Sequence, residues 1–511
     1  MCPRCFPSGF APAEALQAAQ GSHIHGELMS EISAQNLNSK YAWREFAQQN
    51  LPKRSAPERA ADFMEIYGLY DEATAREQAS RCIQCPNPTC VAGCPLCNPI
   101  PRWLLLTAEG RFLEAAALLG SVTNMAEICA RVCPSDHLCE GACLLESISE
   151  PVPIQAIEQF LMDYSFRQGQ VDVSTLPPNG MKIAVAGSGP GGLACADELA
   201  KQGYAVTIFD SALIPGGLLV NDVPAFRLDK TIVQRRVELL QRRGVVFRLG
   251  AKLWDDVKLA QLQEGFDAVY LGWDSRQARP LTIPGAELSG VIQAVPFLLQ
   301  KTTALPLDLP KFEVSGKRVV VLGAGDTAMD CLRAAIRYGA QEATCVYRRD
   351  ELDMPCARRE YKNAMEEGAR FVFCSAPSAI LGNSEGKVSG LRFVRTEMGL
   401  AHSGRRPYLL QPGTESELNA DWVIVALGFD PVPCPRSDDF CGLTLNDWGG
   451  MVVDGYQMTS IPGVFAGGDL VRGPTLVLNA VRDGRIAAAQ IHKYCSSKTK
   501  IGPRPGQGGV C

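Results

Sequence analysis

Nine of the chain's twenty cysteines fall between residues 82 and 143, in two bursts. The first is Cys82, Cys85, Cys90 and Cys94, the last followed by Pro95, with Cys97 trailing; the second is Cys129, Cys133 followed by Pro134, Cys139 and Cys143. Clustered thiolates that close on Cys-Pro suit iron–sulfur clusters, where the last cysteine of a run can ligate a second cluster. The spacing C-x2-C-x4-C-x3-C-P is nevertheless not the bacterial ferredoxin spacing. Zinc usually takes paired C-x2-C units. Disulfide scaffolds are short secreted chains, unlike one of 511 residues.

Two glycine-rich turns follow, each between an apolar strand and a helix. Met181 to Ala186 runs into Gly187-Ser188-Gly189-Pro190-Gly191-Gly192, and Lys317 to Leu322 into Gly323-Ala324-Gly325-Asp326-Thr327-Ala328. In such units the first glycine permits a tight turn, the second lets the backbone approach a pyrophosphate, and the third small residue packs helix on strand. The phosphates then rest on a helix N-terminus. A lone glycine-rich turn is weak evidence, but here each unit has a telling residue where its second strand ends. Asp210, after the strand Ala205 to Phe209, can accept hydrogen bonds from ribose hydroxyls. Tyr347-Arg348-Arg349, after Ala343 to Tyr347, offers guanidinium groups to a 2′-phosphate that a carboxylate would repel. NADP(H) is therefore favoured over NAD(H) at the second turn; the plainer reading makes Arg348 and Arg349 a solvated loop.

The elements that must carry these groups follow from pattern. From Tyr41 to about Gly169 the apolar spacing is helical between Pro- and Cys-rich loops, and Val171 to Gly180 has linker composition. Beyond it, β-branched runs alternate with Ala-rich helices, as in doubly wound sheets. A chain of 511 residues is expected to split into three or four domains. Hydrophobic content of 46% and charged content of 21%, with no apolar run long enough to span a bilayer, argue against membrane insertion. The net charge of −5, without a basic stripe, argues against nucleic acid. No charged n-region precedes an apolar stretch at the start, so a reducing cytoplasm is expected. Met1 to Ser39 reads as a mobile tail whose Cys2 and Cys5 are incidental thiols.

Several separated motifs carry a family resemblance: Ala79 to Cys85, Gly93 to Leu96, Arg131 to Pro134, Cys139 to Cys143, Gly187 to Leu193, Gly323 to Asp330, Tyr347 to Arg349 and Phe465 to Asp469. Over roughly Tyr41 to Tyr494 the chain resembles the small (β) subunit of NADPH-dependent glutamate synthase. Relatives of that family include the N-terminal half of dihydropyrimidine dehydrogenase and the large subunit of NADH-dependent ferredoxin:NADP oxidoreductase. The resemblance implies an α/β protein with an N-terminal all-α iron–sulfur domain and two Rossmann-like doubly wound domains, one for FAD and one for NADP, the NADP domain inserted in the FAD domain. The layout would be a tail at 1–40, a helical domain at 41–170, an FAD domain at 180–305 and 426–511, and an NADP domain at 306–425.

The same resemblance implies two [4Fe-4S] clusters, one held by Cys82, Cys85, Cys90 and Cys143, the other by Cys94, Cys133, Cys139 and Glu158, with Gln159 as the alternative eighth ligand. Cys97 and Cys129 have no ligand role in it, and Cys97 reads as a small packing residue. FAD would use Gly187, Gly189, Pro190, Gly192 and Asp210, with Gly217 and Leu218 near the isoalloxazine and Gly468 and Asp469 closing the site. NADP(H) would use Gly323, Gly325, Asp326, Thr327, Arg348 and Arg349. Where the family commonly has Tyr-Gly-Ile-Pro, this chain has Asn221-Asp222-Val223-Pro224. The expected function is electron input from NADPH, through FAD and the clusters, to a glutamate synthase large (α) subunit or another redox partner. No side chain need act as a general base.

Overall fold

A computed structural model describes residues 41–253, 255–273, 276–300, 311–400, 406–431 and 442–500. The expected tail with Cys2 and Cys5 lies outside them. The chain forms two compact units. Among the described residues, one comprises 41–50 with Tyr70–Thr123 and His137–Gln170; the other comprises Leu51–Leu69, Asn124–Asp136 and those from Val171 on. Two short stretches that helical patterning assigns to the first module thus belong to the second unit.

The first unit is helical. Its main helices are Glu72–Ser80, Ile100–Ala108, Phe112–Val122 and Ile154–Arg167. Asp71 caps the first of these by accepting the Thr74 N–H at 2.7 Å, satisfying one of the amides that a helix start leaves open. Apolar residues at helical spacing meet in a core of Trp103, Leu104, Leu119, Phe160 and Leu161, with Phe112 edge-on to Phe160 at 5.1 Å. Buried polar groups are partnered: the Trp103 indole donates to Asn98, which donates in turn to Thr123. The buried guanidinium of Arg81 donates to the carbonyls of Phe46 and Glu150.

The second unit contains two parallel five-stranded sheets. The first runs, in spatial order, Val464–Ala466, Ala268–Leu271, Lys182–Ala186, Ala205–Asp210 and Val246–Leu249. The second runs Val291–Gln293, Trp422–Val425, Arg318–Leu322, Glu342–Val346 and Arg370–Val372. Near-continuous apolar strands such as Ala268–Leu271, buried at every residue, fit sheets covered on both faces. The chain leaves the first sheet after Leu271 and returns through Phe429–Pro431, which lies antiparallel to Arg276–Ala278. The second sheet is therefore inserted between strands of the first. It also takes Val291–Gln293, which the expected layout assigns to the first nucleotide domain; residues 301–310, around the expected boundary, lie outside the described ones.

A buried ionic network ties the Asn124–Asp136 segment into this unit. Glu127, at the start of the helix Ala126–Val132, receives Arg236 through both oxygens at 2.6 and 2.8 Å. Asp197, fully buried, pairs with Lys201 at 2.7 Å and with Arg243, and accepts from the Asn124 amide at 3.1 Å.

Candidate cofactor sites

In the helical unit a small cavity is lined by Cys82, Cys85, Cys90 and Cys143 together with Ile83, Thr89, Pro101, Leu104, Leu144, Leu145, Val152 and Ile154. Three of these cysteines come from one burst and the fourth from the other. Gln84 turns the chain between Cys82 and Cys85 with a left-handed backbone, φ 53°, and its amide donates to the Pro101 carbonyl at 2.9 Å. Such a backbone is disfavoured for a side-chain-bearing residue, and that hydrogen bond holds it. Gly93, just before Cys94, lies so close to the Leu138–Ala142 loop that a Cβ would meet the Ala142 Cβ at 2.8 Å.

Burial pushes the thiols of Cys82 and Cys90 up to about 12 and raises Cys85 as well. Only a metal centre that deprotonates them would make ligands of such thiols. Soft sulfur donors in an apolar shell are the donor set of an iron–sulfur cluster, and these residues fit one.

Of the remaining expected ligands, Cys94, Cys139 and Glu158 lie in the helical unit, Glu158 half-buried on Ile154–Arg167 with Gln159 buried beside it. Cys133 follows the helix Ala126–Val132 in the other unit. Cys129 is buried on that helix. Cys97, read as a packing residue, is held in a disulfide.

The first glycine turn sits at the carboxyl ends of the first sheet, where ligands bind in open α/β sheets. A cleft of about 280 Å³ is lined by Gly187, Gly189, Pro190, Asp210, Gly217, Leu218, Gly468 and Asp469, with Phe209, Leu253 and Trp273 as apolar walls. Gly187 has φ 103°, and a Cβ there would strike the Gly272 carbonyl oxygen at 2.7 Å. A Cβ on Gly189 would meet nothing nearer than 4.0 Å, so the missing side chain leaves the space a pyrophosphate needs. Gly192 is buried and off the cleft: its Cβ would fall 1.9 Å from the Gly187 oxygen, so its role is packing the helix Pro190–Lys201 on the turn. The cleft fits a dinucleotide.

Asp210, placed by the end of its strand, accepts the Ser188 N–H at 2.6 Å, the Ser188 hydroxyl at 2.5 Å and the Ala212 N–H at 2.8 Å. Asp469 accepts the Thr475 N–H at 3.2 Å. Sequence reasoning missed two further residues. Asp483, fully buried, accepts from the Gly468 N–H at 3.1 Å and from Arg472 at 2.6 and 2.7 Å, anchoring the Gly467-Gly468 turn. Lys230 donates to the carbonyls of Leu219 and Val223, clasping the Gly217–Val223 segment, and burial lowers its amine to about 8. Neither had a sequence signal beyond lying on a helix.

At the second turn, a Cβ on Gly323 would fall 2.3 Å from the Ala426 oxygen, and Gly325 caps the helix Asp326–Arg337, which opens with Asp326 and Thr327. Asp326 accepts the Ala357 N–H at 3.0 Å and lies 3.6 Å from the guanidinium of Arg227. Arg227 also pairs at 2.9 Å with Asp330, whose carboxyl burial pushes up to about 7 against the pull of that guanidinium. Arg348 is exposed and Arg349 half-buried; both guanidinium groups approach the ring of Tyr408. Sequence reasoning did not single out Arg227 or Tyr408, because their partners lie 103 and 60 residues away.

Comparison with known proteins agrees with this geometry. Residues 59–170 match the family model "dihydropyrimidine dehydrogenase domain II, 4Fe-4S cluster", and residues 181–484 match "pyridine nucleotide-disulphide oxidoreductase". The glutamate synthase [NADPH] small chain of Azospirillum brasilense is 41% identical over 464 residues, covering 89% of this chain and 96% of the relative. The protein of the same name from Escherichia coli K12 is 42% identical over 454 residues, covering 87% and 96%. The putative oxidoreductase AegA of Escherichia coli K12 is 38% identical over 513 residues, covering 96% of this chain and 77% of the relative. Among solved structures, Mycobacterium tuberculosis FprA in complex with NADPH superimposes with a TM-score of 0.53 at 22% identity, over 64% of this chain and 86% of that one, a likeness of fold.

Fold and site together define a pyridine-nucleotide-dependent flavoprotein oxidoreductase with a 4Fe-4S module. Within that class the chain belongs to the family of glutamate synthase [NADPH] small chains. Among the described residues no single helix is long and apolar enough to cross a membrane.

Proposed function

We propose that this chain is the NADPH-oxidising, electron-input subunit of a glutamate synthase, acting in the cytoplasm and delivering electrons to a large partner subunit. One observation carries the reading: two dinucleotide cradles, one ending in Asp210 and the other in Arg348 and Arg349, occur in a chain that also surrounds an apolar cavity with four cysteines. FAD held in the first cradle would supply the conversion of a two-electron donor's hydride into single electrons, which 4Fe-4S clusters can carry.

The side chains bind and orient. Gly187, Gly189, Pro190, Gly217, Leu218, Gly468 and Asp469 form the flavin cradle, Gly192 packs its helix, and Asp210 holds its turn. Gly323, Gly325, Asp326 and Thr327 present the start of a helix to the second dinucleotide, with Arg348 and Arg349 for a 2′-phosphate. The proposal includes two clusters, one on Cys82, Cys85, Cys90 and Cys143, the other on Cys94, Cys133, Cys139 and Glu158.

Anaerobically purified chain should contain about eight irons and one flavin, bleach with NADPH far faster than with NADH, and form glutamate only when the large subunit is added. Absence of flavin, or equal rates with the two nucleotides, would refute the assignment. Likeness to AegA, named only as a putative oxidoreductase, favours as second reading a related subunit serving ferredoxin or another acceptor. In that case the same electron input would persist and the partner captured from the native cell would not be a glutamate synthase large subunit.

A further inference from the structure

We infer that Tyr408 sets the choice between NADPH and NADH, as a positioning residue for Arg348 and Arg349. The inference rests on the reading of those arginines as the 2′-phosphate site.

Tyr408 opens the strand Tyr408–Leu410, which lies antiparallel to Val388–Met398 with Met398 opposite Tyr408. The strand brings one aromatic ring to two cations. The Arg348 guanidinium lies 5.1 Å from the ring centroid and that of Arg349 lies 5.5 Å from it. Arg348 also donates to the Tyr408 hydroxyl at 3.3 Å. Adjacent arginines repel each other and have many rotamers, so two guanidinium groups stay together only if something organises them. A ring face attracts both.

The surroundings leave this pair's charge available. Asp350 is the neighbouring carboxylate and would compete for Arg349, but both its oxygens take Arg406 at 2.5 Å, and Arg406 also reaches Asp353 at 2.9 Å. The Arg406 carbonyl then accepts from Nε of Arg349 at 2.9 Å. Thr396 donates to the Arg348 carbonyl at 2.9 Å, fixing the backbone beneath. Among the described residues neither Arg348 nor Arg349 forms an ion pair with a carboxylate. Two un-neutralised guanidinium groups on one ring form a receptor for a dianion such as a phosphate monoester. The Tyr408 hydroxyl accepts from Arg348, a second hold on that guanidinium beside the ring face.

The test uses the flavin- and iron-loaded chain, with dye reduction by NADPH and NADH and inhibition by adenosine 2′,5′-bisphosphate and by adenosine 5′-monophosphate. Tyr408→Leu should lower the NADPH-over-NADH ratio of kcat/KM by roughly tenfold, with the NADH value moving less than about twofold. Inhibition by the bisphosphate should weaken in proportion, and inhibition by the monophosphate should not. Tyr408→Phe keeps the ring and should lose only about threefold. If Tyr408→Leu and Tyr408→Phe keep full selectivity while Arg348→Ala or Arg349→Ala loses it, the role of Tyr408 is overturned and the arginine site stands. If the arginine variants keep selectivity too, the underlying site is wrong. Equal loss with both nucleotides and both inhibitors would reduce Tyr408 to a structural residue and overturn the inference.

Discussion

The carboxylate of Asp210 accepts the backbone N–H of Ser188 at 2.6 Å and its hydroxyl at 2.5 Å, tying the end of one strand to the turn that follows its neighbour. A residue expected to meet a ribose therefore holds the glycine turn, and the Ser188 hydroxyl extends the tie by accepting the Gly216 N–H at 3.1 Å.

Asp210→Ala should release the Ser188 amide and hydroxyl and the Ala212 amide together. Leaving such donors unsatisfied costs about 1–3 kcal/mol each, so the variant should purify with much of its flavin missing and a lower melting temperature. Asp210→Asn keeps one acceptor oxygen and should fall between. Full flavin occupancy in Asp210→Ala would show that the turn does not depend on this carboxylate.

Gly484→Ala tests a helix crossing. Helix Val477–Lys500 meets Pro190–Lys201 so closely that a Cβ on Gly484 would fall 2.1 Å from the Gly191 carbonyl oxygen. Backbone cannot yield as a flexible side chain would, and a loss of about 1–3 kcal/mol is expected from the forced shift. Flavin should be lost at lower denaturant concentration, because Gly191 lines its cleft. Gly265→Ala, whose Cβ would have nothing within 4 Å and whose backbone is not left-handed, should leave flavin retention as it is.

The Asp197 network predicts an acid limit. Burial alone would raise this carboxyl, but Lys201, Arg236 and Arg243 outweigh it and hold it down to about 2. The folded value lies below that of an unfolded aspartate, so the stabilisation is complete above about pH 4 and disappears as pH falls toward 2. Its size is on the order of 2 kcal/mol. Asp197→Asn should cost about 3–5 kcal/mol at neutral pH by stranding buried cations, and urea midpoints of parent and variant should converge at low pH. A gap that is the same at pH 7 and pH 3 would rule the explanation out.

Replacing cysteines one at a time separates ligands from core thiols. Cys82→Ser, Cys85→Ser, Cys90→Ser and Cys143→Ser should each remove about half of the iron and labile sulfide if two clusters are present. Cys129→Ser should keep all of it. Iron loss from Cys129→Ser equal to that from Cys143→Ser would redraw the ligand set.

Local sequence was enough for the elements that repeat a short-range rule. The alternation of β-branched runs and Ala-rich helices, the two glycine turns, and the opposite chemistry of Asp210 and Arg348-Arg349 are all contained within stretches of a few tens of residues, where strand, turn and helix obey backbone sterics and dipoles. The close grouping of Cys82, Cys85 and Cys90 is of the same kind. What partners these residues, however, depends on segments far away in the chain. Cys143 joins a cavity with residues of the first burst, Arg236 reaches Glu127 across 109 residues, and Tyr408 collects two arginines from about sixty residues upstream. Val291–Gln293 likewise joined the second sheet because its partner, Trp422–Val425, arrives only far downstream in the chain. Residue type and local spacing specify which chemistries this protein carries. Packing between distant segments settles which side chains hold them in place, because buried ion pairs, sheet order and close glycine contacts depend on long-range packing that local propensity does not encode.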